Sequence, residues 1–378
     1  MTQQTIHQPV RIGLVGLGRA GWGMHCSELE SRKDKFQIIA ACDVEPERRN
    51  RMQQRYGCKT YACLADLLAD PQVELVDIAT RSPDHVTHAT AALQAGKDVF
   101  LEKPIALSYD QAEELHRVAQ SAGGQLWIRH NRRFEPAFVH IRQILDSGVL
   151  GDVFEIKLRR HNFQRRDDWQ AIIACGGGQL LNWGPHIIDH GLRLLDSPLQ
   201  SMWSDLKQVA ALGDAEDHLK IILKGENGRI VDLEISGGAA IPEPEYLIFG
   251  SRGALSCDGK TIRLRRLDPS KQLLARKASA ATPRMEGVFG DPNELVWLDE
   301  TFPVAPVPSC DTDSIWDHLY AAIRENRQFP ISLNEALEVM RVVSQAKQGT
   351  AFEQKVASSA VMATQTATAP RPAFCVQR

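Results

Sequence analysis

The sequence lacks any run of the roughly 18 apolar residues that a membrane helix needs. Its start, Met1 to Val10, is polar, without the basic cluster and apolar stretch of a secretory signal. A soluble, cytoplasmic protein is expected. An excess of one charge is missing too: 44 Lys and Arg stand against 47 Asp and Glu, a net charge of -3, so nothing draws the chain as a whole to nucleic acid or to an anionic membrane. The 8 cysteines include no Cys-x-x-Cys pair, and Cys58 and Cys63, the nearest two, have no His or Cys at zinc-site spacing. His130, His161, His186 and His190 also lack ligand spacing, so neither a disulfide framework nor a metal is expected.

What is present fits two domains in 378 residues. From Val10 to about Trp127 short apolar runs (Arg11 to Val15, Gln37 to Cys42, Leu75 to Ala79, Asp98 to Leu101) alternate with helical patterns such as Val86 to Gln94 and Tyr109 to Ser121. That alternation is the mark of an α/β doubly wound parallel sheet. After a helix over Pro136 to Ser147 the texture turns β-rich, with strands expected over Val153 to Arg160, Leu219 to Leu223, Ile230 to Ile235, Tyr246 to Phe249 and Ile262 to Leu267, and a hairpin at Asn227-Gly228. Helical periodicity returns over Ser314 to Glu325 and Leu333 to Lys347. The expected division is a Rossmann domain over 1–130, a C-terminal α/β domain with a large, open, mostly antiparallel sheet over 131–350, and a largely disordered Ala, Ser and Thr rich tail over 351–378.

Gly16-Leu17-Gly18-Arg19-Ala20-Gly21 comes directly after the first strand. A GxGxxG between strand and helix binds dinucleotides: Gly16 makes the tight turn, Gly18 admits the pyrophosphate and Gly21 lets helix and strand pack closely. The helix N-terminus offers its free N–H groups to the phosphates. Asp43, about 20 residues on and closing the second strand, is placed to accept the ribose hydroxyls and to repel a 2′-phosphate, which favours NAD over NADP. Arg48 and Arg49 are read as solvated charges opening the next helix.

With Asp98 to Pro104 (DVFLEKP) the ordered motifs become specific. The glycine loop, Thr80 to His85 (TRSPDH), Ala92 to Lys97 (ALQAGK), Glu102-Lys103-Pro104, Asn131 to Pro136 (NRRFEP), Gly148 to Asp152 (GVLGD) and Gly176 to Asp189 (GGGQLLNWGPHIID) together resemble the Gfo/Idh/MocA family of oxidoreductases, from Arg11 to about Val356. The resemblance implies NAD(P)-dependent hydride transfer at an alcohol carbon of a sugar, sugar acid or cyclitol, and a homodimer or homotetramer formed through the open sheet. It matches Lys103 and His186 to the family's catalytic lysine and histidine. It also puts Arg19, Ala20, Thr80, His85, Glu102 and Lys103 beside the cofactor. Asn182 is a departure, standing where many relatives carry aspartate.

The chemistry suits these residues. Oxidising a secondary alcohol needs a base for the hydroxyl proton and a donor for the negative oxygen; His186 can be the first and Lys103 the second. Asp189, three residues on, lies on the same helix face and is a candidate to orient the ring or bind a hydroxyl; a structural carboxylate is the competing reading. Asn182 can orient the ring but supplies no charge, so it binds substrate, or Asp189 replaces the acid, or dehydrogenase activity has drifted. His161 to Gln170 (HNFQRRDDWQ) offers Trp169 for a sugar face and Arg165 or Arg166 for an anion, or else is a self-neutralising solvated loop. Besides a dehydrogenase, the motifs admit a glycoside-processing enzyme with transient C3 oxidation, and a non-catalytic NAD-binding regulator.

Overall fold

A computed structural model describes residues 8–273, 277, 278, 280, 282, 295–306 and 310–353, so the expected tail lies outside the described residues beyond 353. The first sheet comprises β1 (Val10–Val15), β2 (Phe36–Cys42), β3 (Lys59–Tyr61), β4 (Leu75–Ile78), β5 (Asp98–Glu102) and β6 (Leu126–Arg129). Its order is β3-β2-β1-β4-β5-β6 and every pairing is parallel. Helices cover both faces, which is why β1 and β4 read as nearly continuous apolar runs rather than alternating ones. Chain order reverses between β1 and β4, and the crevice beyond their C-terminal ends is where such sheets bind ligands. The helices obey local signals: Pro46 and Gly57 (φ 62°) bracket Pro46–Tyr56, and the Ser108 side chain caps Tyr109–Ser121.

The second sheet holds β7 (Val153–His161), β8 (Leu199–Lys207), β9 (His218–Gly225), β10 (Ile230–Ser236), β11 (Tyr246–Gly250), β12 (Gly253–Cys257), β13 (Thr261–Leu267) and β14 (Trp297–Pro303). The order is β14-β13-β12-β11-β7-β10-β9-β8, antiparallel except for β7 with β10. The Asn227-Gly228 hairpin joins β9 to β10, with Gly228 at φ 82°. Helices Gly184–Leu195 and Leu333–Lys347 pack on this sheet. Strands β3, β8, β12 and β14 carry no clear alternation in the sequence. Three of them are edge strands, and an edge strand needs only one neighbour and little burial.

One segment crosses the division drawn from the sequence. Helix Ile315–Arg324 packs into the core of the first sheet, where the Trp316 ring lies edge-on to Phe100 at 4.9 Å and to Phe36 at 5.5 Å. Among the described residues no helix is long and apolar enough to cross a membrane.

Candidate active site

The glycine loop is built as its sequence requires. Gly16 has φ 90°, and a side-chain carbon there would meet the Ala79 carbonyl at 2.7 Å; one on Gly21 would meet the Gly16 carbonyl at 2.0 Å. Strand, loop and helix therefore touch backbone to backbone. Above Gly18 the space is open, with only the Arg48 guanidinium at 3.9 Å from such a carbon, and this is the cradle a pyrophosphate needs. Arg19 is exposed, and Ala20 partly so, at the same rim.

Asp43 ends β2 almost fully buried. One carboxylate oxygen accepts the Leu17 N–H at 2.7 Å and the Arg48 guanidinium at 3.3 Å; the other accepts the Glu45 N–H at 2.9 Å. It thus ties the glycine loop to the end of β2. Arg49 is not a free solvated charge, because it folds back onto the carbonyls of Asp43 and Val44. The residues fit a dinucleotide: open backbone over Gly18, a helix beginning beyond it, and a carboxylate one strand away.

Two residues expected at the cofactor have other work. His85 is buried, with Nδ1 2.7 Å from the Pro104 carbonyl and Nε2 3.1 Å from that of Thr80, so it ties the turn after β4 to the turn after β5. Burial holds its pKa below the usual imidazole value. Glu102 points inward: one oxygen accepts from Arg129 at 2.9 Å and from His25 at 3.0 Å, and the other accepts the Lys103 N–H at 3.0 Å. The Thr80 hydroxyl lies 3.2 Å from His88 Nδ1 at the rim of the crevice.

Lys103 leaves the end of β5, and its Nζ donates to the Asn182 carbonyl at 2.8 Å. This contact spans the two sheets, since Asn182 closes the short helix Gln179–Asn182 of the second domain. The glycine run sets that helix: Gly178 has φ 110° and packs against the Glu216 carboxylate, which in turn accepts the Leu180 N–H at 3.1 Å. A side chain at 178 would collide with Glu216. The Asn182 side-chain amide is partly exposed and has no hydrogen-bond partner among the described residues.

His186 lies in the first turn of Gly184–Leu195, nearly buried, its ring 5.7 Å from that of Trp183. Burial, with Lys103 and Arg132 nearby, drives its pKa well below the ordinary value, so the ring is a neutral base. Its Nδ1 is enclosed and has no hydrogen-bond partner among the described residues, and the same holds for Nδ1 of His130. Asp189 does not fill that role. Its two oxygens are held by Arg133 (3.0 Å for one contact), and Arg133 also bonds Glu335 at 3.0 Å. The carboxylate therefore anchors the helix and is not available to a substrate hydroxyl. On the same helix His190 is neutral: Nε2 donates to the Arg132 carbonyl at 2.8 Å, Nδ1 faces the Tyr246 hydroxyl at 3.2 Å, and burial pushes its pKa down to about 4.

From the loop after β7, Trp169 reaches the first domain and lies 5.7 Å from the Arg81 guanidinium. Arg166 pairs with Asp168 at 3.0 Å, so this part of the loop is self-neutralising, whereas Arg165 is exposed and has no ion pair among the described residues. Residues not singled out from the sequence complete the site. Arg132 stacks on Trp183 at 4.2 Å, and beneath Lys103 a buried chain of His25, Asp77, Arg129 and Glu28 joins Glu102, which the sequence had singled out. The signal for that chain was available in Leu-Val-Asp-Ile of β4: a carboxylate in a fully buried strand must have a partner.

Residues 10–130 match the family described as "Oxidoreductase family, NAD-binding Rossmann fold", and residues 138–256 match the "GFO/IDH/MocA C-terminal domain". The chain is 28% identical over 351 residues to the oxidoreductase YdgJ of Escherichia coli, covering 88% of this chain and 94% of that one. It is 24% identical over 345 residues to the scyllo-inositol 2-dehydrogenase (NADP(+)) IolW of Bacillus subtilis, covering 89% and 92%. Among solved structures, an NAD-binding protein from Listeria innocua superposes with a TM-score of 0.76 at 22% identity over 91% of this chain and 98% of that one. The WlbA dehydrogenase of Bordetella pertussis, in complex with NADH and UDP-GlcNAcA, superposes with a TM-score of 0.71 at 18% identity, covering 90% and 97%. The two matches together take in the whole first sheet and most of the second, and the chain belongs to the GFO/IDH/MocA family of NAD-binding oxidoreductases.

Proposed function

We propose that the protein is an NAD-dependent dehydrogenase of a sugar, sugar acid or cyclitol, acting on a secondary alcohol, with Lys103 and His186 as its catalytic residues. The observation that carries the reading is the bond from Lys103 Nζ to the carbonyl of Asn182, four residues before His186, which brings a cation from one domain to a neutral base from the other. When bound, NAD supplies the hydride acceptor at the nicotinamide. His186, neutral at working pH, takes the hydroxyl proton through the ring nitrogen that faces the cleft. Lys103 directs its remaining N–H donors at the same oxygen as negative charge develops there. Asn182 offers its unpartnered amide to a neighbouring hydroxyl, and Trp169 and Arg165 close the outer side. Gly16, Gly18, Arg19, Ala20, Gly21, Asp43 and Thr80 hold the dinucleotide.

The inositol on which IolW acts and the nucleotide sugar bound to WlbA support a polyhydroxylated substrate. Trp203 and Phe154, 57% and 53% exposed on strands of the second sheet, support a homo-oligomer through that face, and the composition supports a cytoplasmic location. Screening polyols, aldoses and uronates with NAD for NADH absorbance tests the reading. Turnover of at least one class is expected. Cofactor that stays bound through purification without net NADH, while a glycoside is consumed, would replace this reading with transient oxidation.

A further inference from the structure

The buried chain behind Lys103 is more than a set of satisfied polar groups. His25 reaches the interior because the helix after the glycine loop opens with a wide i→i+5 turn over Gly21–His25, closed by the Cys26 N–H on the Gly21 carbonyl. Its Nδ1 lies 2.8 Å from Asp77 and its Nε2 3.0 Å from Glu102. Neither carboxylate can donate when ionised, and a neutral imidazole has only one N–H, so this fork fits an imidazolium. Burial alone would lower the pKa of the ring, but Asp77 and Glu102 hold it up to about 9.

Beyond Glu102 the chain continues through Arg129, which bonds Glu28 at 2.7 Å, and Glu28 accepts the Trp316 indole N–H at 2.6 Å. Three carboxylates (Glu28, Asp77, Glu102) thus meet two cations (His25, Arg129), leaving one negative charge over. Lys103, whose backbone N–H donates to Glu102 while its ammonium reaches the Asn182 carbonyl, is a further positive charge on which Glu102 acts.

We propose that Glu102 and His25 are positioning residues for Lys103: Glu102, kept ionised by Arg129, is the ammonium's counter-charge, and His25, fixed by Asp77, keeps that carboxylate turned towards the lysine backbone. The groups that act on Lys103 include His85, Glu102, Arg129, His130, Arg132, Arg166 and His186. Of the influences on the ammonium, Glu102 is the strongest that favours the charged form. Burial and the arginines work against the ammonium, and Glu102 opposes them. The inference rests on Lys103 acting as a cationic donor, and its test separates the two claims.

The test is the pH dependence of Lys103 reductive methylation by formaldehyde and cyanoborohydride, read by mass spectrometry on the full chain, alongside the alkaline limb of kcat. Glu102→Gln should lower the Lys103 midpoint by about one pH unit or more, since it removes the counter-charge. His25→Gln should raise it, because a positive charge is lost while Arg129 keeps Glu102 ionised. Opposite shifts are not expected if both residues serve only to fill the core. If Glu102→Gln does not fold, Glu28→Gln, on the far side of Arg129, should give the same direction with a smaller shift. Midpoints that stay put, or that move together, overturn the proposal whatever Lys103 does in catalysis. Opposite midpoint shifts with an unmoved alkaline limb would support the coupling and refute the catalytic reading of the lysine.

Discussion

Behind Lys103 stand five charged side chains in unbroken hydrogen-bonded contact, from Asp77 to Glu28; behind His186 an enclosed Nδ1 has no partner among the described residues, and the nearby carboxylate, Asp189, belongs to Arg133. The two residues meet in one cleft but are supported in different ways. The lysine side is fixed by charge, each ion buried against an opposite one. The histidine side is fixed by packing and by cations that keep the ring neutral. Asn182 in place of an acid belongs to this second scheme: a carboxylate there would favour the imidazolium, which the surrounding Lys103 and Arg132 oppose. The charged lysine thus stands on one domain and a neutral imidazole on the other.

The largest effect should come from breaking the charged side. Arg129→Met leaves Glu28 and Glu102 buried without their cation and should cost about 3–5 kcal/mol of stability by denaturant titration, the usual scale for half of a buried pair. Arg133→Met should cost less, because its second partner, Glu335, is partly exposed and retains Arg193. Equal losses would contradict the contrast between the two sides.

Stability should also bend with pH in opposite senses from the two sides. His25, raised to about 9, contributes stability that is fully present below its unfolded pKa of about 6.5 and is lost as pH rises through 9. His130 and His190, pushed by burial down to about 4, must stay neutral, so stability falls as pH drops from about 6.5 towards 4. A Tm profile with its maximum near neutral pH is expected. His25→Gln should flatten the alkaline arm and leave the acid arm unchanged.

Cofactor choice tests the first domain by itself. If Asp43 accepts the ribose hydroxyls as the sequence leads one to expect, NAD should bind more tightly than NADP by about 1.5–3 kcal/mol, the value of hydrogen bonds to a charged group. Asp43→Asn should narrow the gap, with Arg48 alongside to meet a 2′-phosphate. Titration of both nucleotides decides it, and tighter NADP in the unaltered protein would assign the site to Arg48.

The smallest effect sharpens the histidine side. Asn182→Asp should raise the acid limb of kcat/KM by about one pH unit, roughly 1.4 kcal/mol, since a carboxylate stabilises the imidazolium. An unmoved limb would show that position 182 does not communicate with His186.

The first sheet was legible because parallel strands buried on both faces must be apolar along their length, and because a glycine loop of this spacing fixes the strand before it and the helix after it. Ordered motifs singled out Lys103, His186 and Asn182, and the structure joins the first and last through the bond from Lys103 Nζ to the Asn182 carbonyl. Pairing at a distance escaped. Nothing in the residues flanking Asp77 or Arg129 tells which buried ion faces which, so His25, Arg129 and Trp316, far apart in the chain, could be joined only in space. Asp189 shows the same limit: its place on the helix face of His186 was right, but the partner that claims it is Arg133, 56 residues earlier. The helix over Ile315–Arg324 was legible but its place was not, because an amphipathic face does not say which sheet it covers.

The most direct measurement is turnover of Lys103→Met and His186→Ala, each with the NAD dissociation constant determined on the same preparation. On this account kcat falls by about 10²–10⁴-fold in both, the scale of positioned acid–base help, while NAD affinity changes little. Turnover close to that of the unaltered protein in both variants, with NAD bound as before, would contradict it.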